Sequence, residues 1–559
     1  MDPVKTDVLV VGAGSAGLRA ALAAAEAGSM VLVLNKGPLG KSGISLVAGG
    51  GMQAPFHPDD NADLFFQDTI NAGYGLGDQN LAAVLAEDAC ARVLDVERYG
   101  AKFARTADGQ YFLSQFPGQS YPRQLSIVGG GLALVSALSI ACKRHKNISI
   151  MDDFFMTGLL NHTESNLVSV TGAIGINLRT GYIVKIEAKA VIMATGGCQW
   201  LWEVNDCPAD ATGDGIVFAY RTGAELVDME MVLFYPSVVI WPVSLRGAFV
   251  HYEYLASAIF DGNIYDRNGK PILSKPLPMR DEAMRMMNQA IMDGRGTVHG
   301  GLEWYIGDSP KEKNFIHTKL NTDQYNYIRA NGIEPSTDRI QVAPGAHYLM
   351  GGIYINEQCE TTVSGLFAVP ECAGNFDGAN RMAGNGLTAT QVFGFKAGIS
   401  AHRWAAAHSC RYPDKRSVDE EVERIMSKIT AGNRIGAELF VLRHKLRSAV
   451  QRDLGVRRSA KGLAHLLSVT DEVQAELAII RVPHVAVYNQ QLMELLQLEV
   501  MCEISRLIAG SALLRQESRG HHFRFDFPER DDLHFLKHTR VVSAEKRAEF
   551  GSIPIKYNG

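Results

Sequence analysis

The chain has 559 residues, of which 46% are hydrophobic and 21% charged, and its 55 Lys and Arg against 60 Asp and Glu leave a net charge of −5. That length suffices for roughly two to four cores of ordinary globular composition, and the slight acidity excludes a global basic field for nucleic acid. Eight scattered cysteines with no CxxC pair argue against an intrinsic iron–sulfur cluster, a metal site or a disulfide framework, and fit reduced thiols in a cytoplasmic protein.

The first predicted element is a short buried strand over residues 6–11, too short for a signal peptide. A turn carrying Gly12, Gly14 and Gly17 follows, then an Ala-rich helix to about Gly28 and a second strand over 30–35. This is the opening βαβ half of a doubly wound α/β sheet. The first glycine permits the tight turn, the second lets backbone approach a pyrophosphate, and the third lets helix and strand pack closely. Ser15 and Ala16 then open the helix at the phosphates. Where an acid usually closes the second strand to hold a ribose, Asn35 stands, followed by Lys36; Asn still hydrogen-bonds a hydroxyl but weakens a generic NAD reading. The small-residue stretch 42–54, with Ser42, Gly43, Gly50 and Gly51, is placed as a loop crossing the dinucleotide. Residues 190–197 read as another buried strand ending in a turn at Ala194, Thr195 and Gly196.

Between about 236 and 342 the pattern is mixed, with a hairpin expected over 263–273 on its Asn268-Gly269 turn. From about 416 to 514 it becomes helical, and Tyr488, Leu492, Leu495, Leu496 and Val500 form an apolar stripe for a bundle core. No window reaches the roughly 18–20 unbroken apolar residues of a membrane span, so direct membrane insertion is not expected.

Taken together, ATGG (194–197), TGDG (212–215), DMEMVLFYP (228–236), MRDEAMRMMNQAI with GRG (279–296), HYLMGGI (347–353), GLFAVPECAG (365–374), GANRMAGNGL (378–387) and ESRGHHFRFDFPERDD (517–532) run in one order with the glycine turn. In that order they resemble the succinate dehydrogenase/fumarate reductase flavoprotein family, which includes L-aspartate oxidase and the adenylylsulfate reductase α subunit. The resemblance covers nearly the whole chain. It implies a doubly wound, Rossmann-like FAD-binding domain in two parts (1–235 and 343–408), an inserted α+β capping domain (236–342), a helical domain (409–515) and a C-terminal tail (516–559). It implies FAD as cofactor, with Glu371 on the ribityl chain, Asp214 as a contacting acid, and Asn385 and Leu387 beside the flavin ring. His347 and Arg381 match the pair that grips a substrate carboxylate, and Arg280 the arginine that delivers or removes a proton.

Three departures bear on function. The segment 41–51 has no histidine where covalent members carry one, so non-covalent FAD is expected. Tyr235 stands where dicarboxylate enzymes have a histidine, and a tyrosine is neutral at pH 7. The capping-domain RGEGG that supplies a proton-relay acid is unrecognisable within 245–262, where Arg246, His251 and Glu253 are loose candidates; Glu230 is either a flavin-side acid or structural. The expected substrate is therefore a small carboxylic acid sharing one carboxylate with succinate and differing at its far end. Electrons pass through a separate iron–sulfur subunit or another carrier, or directly to oxygen or a quinone. The alternatives are an amino-acid oxidase like L-aspartate oxidase, an adenylylsulfate-reductase-like α subunit, and a flavin-bearing scaffold without turnover.

Overall fold

The computed structural model describes residues 4–256, 262–307, 310, 322–334, 337–430, 437–545 and 547–557. The later part of the segment expected to hold a proton-relay acid, 257–261, lies outside them.

A seven-stranded mixed sheet forms the centre of the molecule. Its parallel half runs Ile148–Met151, Val31–Leu34, Val4–Val11 and Ile183–Met193, and Leu366–Ala368 flanks the C-terminal end of the last of these. Continuous apolar runs suit strands covered on both faces: Val8, Leu9 and Val10 are wholly buried, each worth roughly 1.5–3 kcal/mol relative to exposure. The N-terminal half of Ile183–Met193 instead pairs antiparallel with Leu167–Asn177, and that strand with Phe154–Glu164. This meander peels away from the parallel sheet. The helices Ser15–Glu26 and Asn385–Ala407 pack against one another beside the first strand.

The chain enters a second, four-stranded sheet through its edge strand Val232–Trp241 and leaves it through the antiparallel neighbour Ile340–Leu349; Leu302–Tyr305 and Asn263–Tyr265 follow in that order on the other side. The expected hairpin closes on Gly269, whose N–H reaches Asp266 O at 2.9 Å, and Ile272 N donates to Ile264 O at 2.8 Å. Helix Arg280–Ala290 packs on this sheet. The result is an inserted α+β unit with its own hydrophobic core, separate from the main one.

The C-terminal helices Ala437–Asp453, Ala460–Ile479 and Gln490–Leu514 join the main core. Leu492, Leu495, Leu496 and Val500 are buried there as expected. Tyr488 is not part of that stripe: it precedes the helix with φ 48, outside the α region, and its hydroxyl donates to Asp153 at 3.1 Å. No helix among the described residues is long and apolar enough to cross a membrane.

Candidate active site

One long cavity runs from the glycine turn to the inserted unit, so its walls come from both cores. At its first end the glycines are fixed by close approach. A Cβ on Gly12 would lie 2.2 Å from Ala194 O, and one on Gly17 only 1.9 Å from Gly12 O. Gly17 therefore seats helix on strand and does not itself line the cavity, whereas Gly12, Gly14, Ser15 and Ala16 do. Gly14 caps the helix without a side chain. Ser15 N donates to Ser45 Oγ at 3.1 Å. The helix N-terminus with its positive dipole end thus faces the cavity, as a pyrophosphate requires.

Asn35 and Lys36 follow at the end of the second strand. Lys36 Nζ sits 2.6 Å from Asp214 Oδ2, and Thr212 donates to the other oxygen at 2.9 Å. Ser42, Gly43, Gly50 and Gly51 line the cavity from the crossing loop, and Ala194, Thr195 and Gly196 from the end of the central strand. The Thr195 hydroxyl is buried with no hydrogen-bond partner among the described residues. Glu371 Oε1 accepts from Gln199 Nε2 at 2.5 Å and Leu349 N at 3.3 Å. Burial pushes its pKa up to about 7, so near neutrality this carboxyl both donates and accepts. Leu387 lines the cavity, but Asn385 does not; its Nδ2 lies 3.4 Å from Thr69 Oγ1. An elongated cavity with an uncapped helix end, an orphaned hydroxyl and a near-neutral carboxyl fits a flavin dinucleotide.

At the far end three cationic or protonatable side chains converge. Arg381, on the loop before helix Asn385–Ala407, is only 6% exposed. Its guanidinium lies over the Tyr348 ring at 4.3 Å; among the described residues Nε has no partner, and the one hydrogen bond reaches Met382 O at 3.5 Å. No carboxylate pairs with it among the described residues. Burial lowers its pKa and Arg280 lowers it further, against the weaker opposing pull of Tyr348, Asp377 and Glu371.

His347, on strand Ile340–Leu349, holds Nδ1 2.6 Å from Asp206 Oδ2. Burial pulls its pKa down, against the opposing pull of Asp206. Arg280 opens helix Arg280–Ala290, where a cation opposes the helix dipole. Glu253 compensates, its Oε1 accepting from Arg280 Nε at 3.0 Å and Nη2 at 2.7 Å, while Nη1 has no partner among the described residues.

Tyr235 donates its hydroxyl to Glu253 Oε2 at 2.5 Å, and His251 Nδ1 lies 3.6 Å from the same oxygen. Burial pushes Glu253 up, but Arg280, His251 and Tyr235 more than reverse it and hold the carboxylate ionised. Of the three loose candidates for this region, Glu253 and His251 line the cavity and the exposed Arg246 does not. Glu230 is structural: wholly buried away from the cavity, it accepts from Arg515 Nε at 2.5 Å and Thr539 Oγ1 at 2.7 Å. Asp206 joins the site from no quoted motif; Tyr348 and Phe249 join it from HYLMGGI and the 245–262 segment, where neither was singled out.

The chain is similar to known proteins over its whole length. A family model described as an FAD binding domain matches residues 7–387, and one described as fumarate reductase flavoprotein C-term matches 443–558. One component of the CoM/CoB fumarate reductase of Methanothermobacter marburgensis is 34% identical over 533 residues, 94% of each chain. L-aspartate oxidase of Caulobacter vibrioides is 31% identical, again over 94% of each. Among solved structures, E. coli quinol fumarate reductase superimposes with a TM-score of 0.91 at 26% identity, covering 100% of this chain and 98% of that one.

Proposed function

The chain belongs to the fumarate reductase flavoprotein family of FAD-dependent oxidoreductases acting on CH–CH groups, and from that premise we propose that it interconverts a saturated and an unsaturated carboxylic acid in the cavity between its two cores. The observation that carries this reading is Arg381: a buried guanidinium without a carboxylate partner among the described residues, beside His347 and Arg280 in one cavity. An unpaired buried cation is costly unless an anion completes it.

Arg381 presents the planar fork that grips a carboxylate in bidentate fashion, and His347 adds a second donor when protonated. FAD, when bound, supplies the hydride chemistry; Gly12, Gly14, Ser15, Ala16, Asn35, Lys36, Asp214 and Glu371 would hold it. Arg280 is the proton donor and acceptor for the substrate carbon. A guanidinium releases its proton only reluctantly, and the ionised Glu253 holds that proton more firmly still. The part Glu253 plays, with His251 beyond it, is to relay a replacement proton to Arg280 once its own has gone to the substrate carbon, and to take it back in the reverse direction. Tyr235 serves Glu253, its one hydroxyl proton already committed there. A second substrate carboxylate therefore finds no cation at Tyr235. The far end of the substrate meets Phe249 and His251, so it differs from that of succinate.

The Methanothermobacter relative is itself one component of a multi-subunit reductase. By that likeness a separate electron-carrying subunit, of the iron–sulfur kind, exchanges electrons with this chain in the cytoplasm, at most peripheral to a membrane. Anaerobic mixing of the oxidised flavoprotein with saturated acids, and of the reduced one with unsaturated acids, tests the reaction. Rapid bleaching or reoxidation by one carboxylic acid is expected, and Arg280→Ala should lower that rate by about 10²–10⁴ with the FAD spectrum unchanged. Undiminished turnover in Arg280→Ala, or peroxide formation from aspartate as the only reaction, would overturn the proposal.

A further inference from the structure

Three elements bring Tyr235, Arg280 and Arg381 to the cavity, and a two-residue stretch of the C-terminal tail is bonded to all three. Gly520 O accepts from Arg285 Nη1 at 2.8 Å, on the helix that Arg280 opens. His521 N donates to Ala379 O at 2.9 Å, in the loop that carries Arg381. With φ 54, Gly520 is seated so closely on that loop that a Cβ would lie 2.2 Å from Ala379 O. The His521 ring completes the arrangement. Nδ1 lies 3.3 Å from the backbone N of Phe234, the neighbour of Tyr235, and Nε2 lies 3.1 Å from Asn380 Oδ1, the neighbour of Arg381.

The tautomer follows from these partners. A backbone N–H can only donate, so Nδ1 must offer its lone pair. A neutral ring then carries its proton on Nε2 and donates it to Asn380 Oδ1. An imidazolium would set Nδ1–H against Phe234 N–H. Wholly buried, the ring is also kept neutral first by that burial and then by Arg285, Arg280, Arg458 and Arg381 around it.

We infer that His521 is a positioning residue: as a neutral imidazole it ties Phe234 to Asn380 and so sets the separation of Tyr235 and Arg381 across the cavity. The inference rests on the reading that this cavity binds a carboxylate. It assigns the spacing of the binding groups to a side chain that itself does not line the cavity.

The full-length flavoprotein would be titrated with succinate, fumarate and malonate, following the visible flavin spectrum, for wild type, H521A, H521N and N380A. H521A and N380A should raise Kd for the bound acid at least tenfold and raise KM more than they lower kcat, with FAD stoichiometry unchanged. H521N keeps an acceptor for Phe234 N–H and should recover part of the affinity. N380A cuts the same tie from the other side, so the inference stays testable if H521A does not fold. Kd values within twofold of wild type, or losses of affinity that only track loss of FAD, would overturn it. A wild type blind to all three acids and also to the monocarboxylates butyrate and crotonate would instead overturn the carboxylate reading, and this inference with it.

Discussion

His347 shows how a single side chain makes the site sensitive to pH. Burial, with Arg381 and Arg280 adding to it, holds its pKa below the usual imidazole range despite Asp206. At neutral pH the ring is therefore neutral, with Nδ1–H on Asp206 and a lone pair on Nε2. A lone pair repels a carboxylate, so a ligand that engages this ring brings a proton with it. The bound anion stabilises the imidazolium and raises its pKa, which makes binding strongest below the free-state value. Affinity is then lost as pH rises towards the bound-state value, by up to about tenfold per pH unit. Titrations between pH 5.5 and 8 should show Kd rising with pH, and calorimetry in buffers of different ionisation heat should show proton uptake. His347→Gln should flatten the slope, whereas a flat slope in wild type would refute the linkage. At this scale the sequence disclosed much of the site but not its pairing. Arg280, His347 and Arg381 stood in recognisable motifs, yet Asp206 belonged to none, and Glu253 is joined to Tyr235 and Arg280 only by the fold of the inserted unit.

Among the elements, the opening βαβ unit was the most legible because its constraints are local. The apolar run, the Ala-rich helix and the approach of Gly17 to Gly12 O all lie within 30 residues or so of chain, and only Gly12 answers to a distant strand, at Ala194 O. Gly17 carries the tightest of them, so Gly17→Val should drive the helix off the strand. Overpacking of this kind costs typically about 1–3 kcal/mol; here the obstacle is a backbone carbonyl, which cannot rotate away. The expected outcome is a lower Tm together with loss of bound FAD, read from the 450 nm absorbance, while Gly17→Ala shows the same defect in milder form. A Gly17→Val protein with full flavin would disprove the packing argument. The antiparallel meander was less legible. Leu167–Asn177 is buried along most of its length, so it lacks the alternation that marks a strand with one wet face. Tyr488 misled for a related reason: side-chain spacing fits a helix there, but φ 48 sets the residue outside it.

At the scale of the whole molecule, the cavity is a seam between two hydrophobic cores, and its two ends are built by different parts of the chain. A ligand filling it bridges the glycine turn and the inserted unit, so cofactor occupancy and folding stability are coupled by mass action. The loop 41–51 offers no histidine for a covalent bond, and the two cavity histidines are engaged elsewhere, His347 with Asp206 and His251 beside Glu253. Flavin attachment is accordingly expected to be reversible. Acid precipitation should leave a colourless pellet and all the flavin in the supernatant. Protein stripped of FAD should melt at lower temperature and recover on adding it back; at 100 times Kd the gain is about 2.7 kcal/mol. Each further tenfold in free FAD should add about 1.4 kcal/mol, so Tm keeps rising with concentration after the site is full. A covalently held flavin could not behave this way, because its effective concentration is fixed by the bond. A yellow pellet, or a Tm indifferent to added FAD, would therefore reverse the assignment and require a nucleophile that reaches the flavin from outside the 41–51 loop.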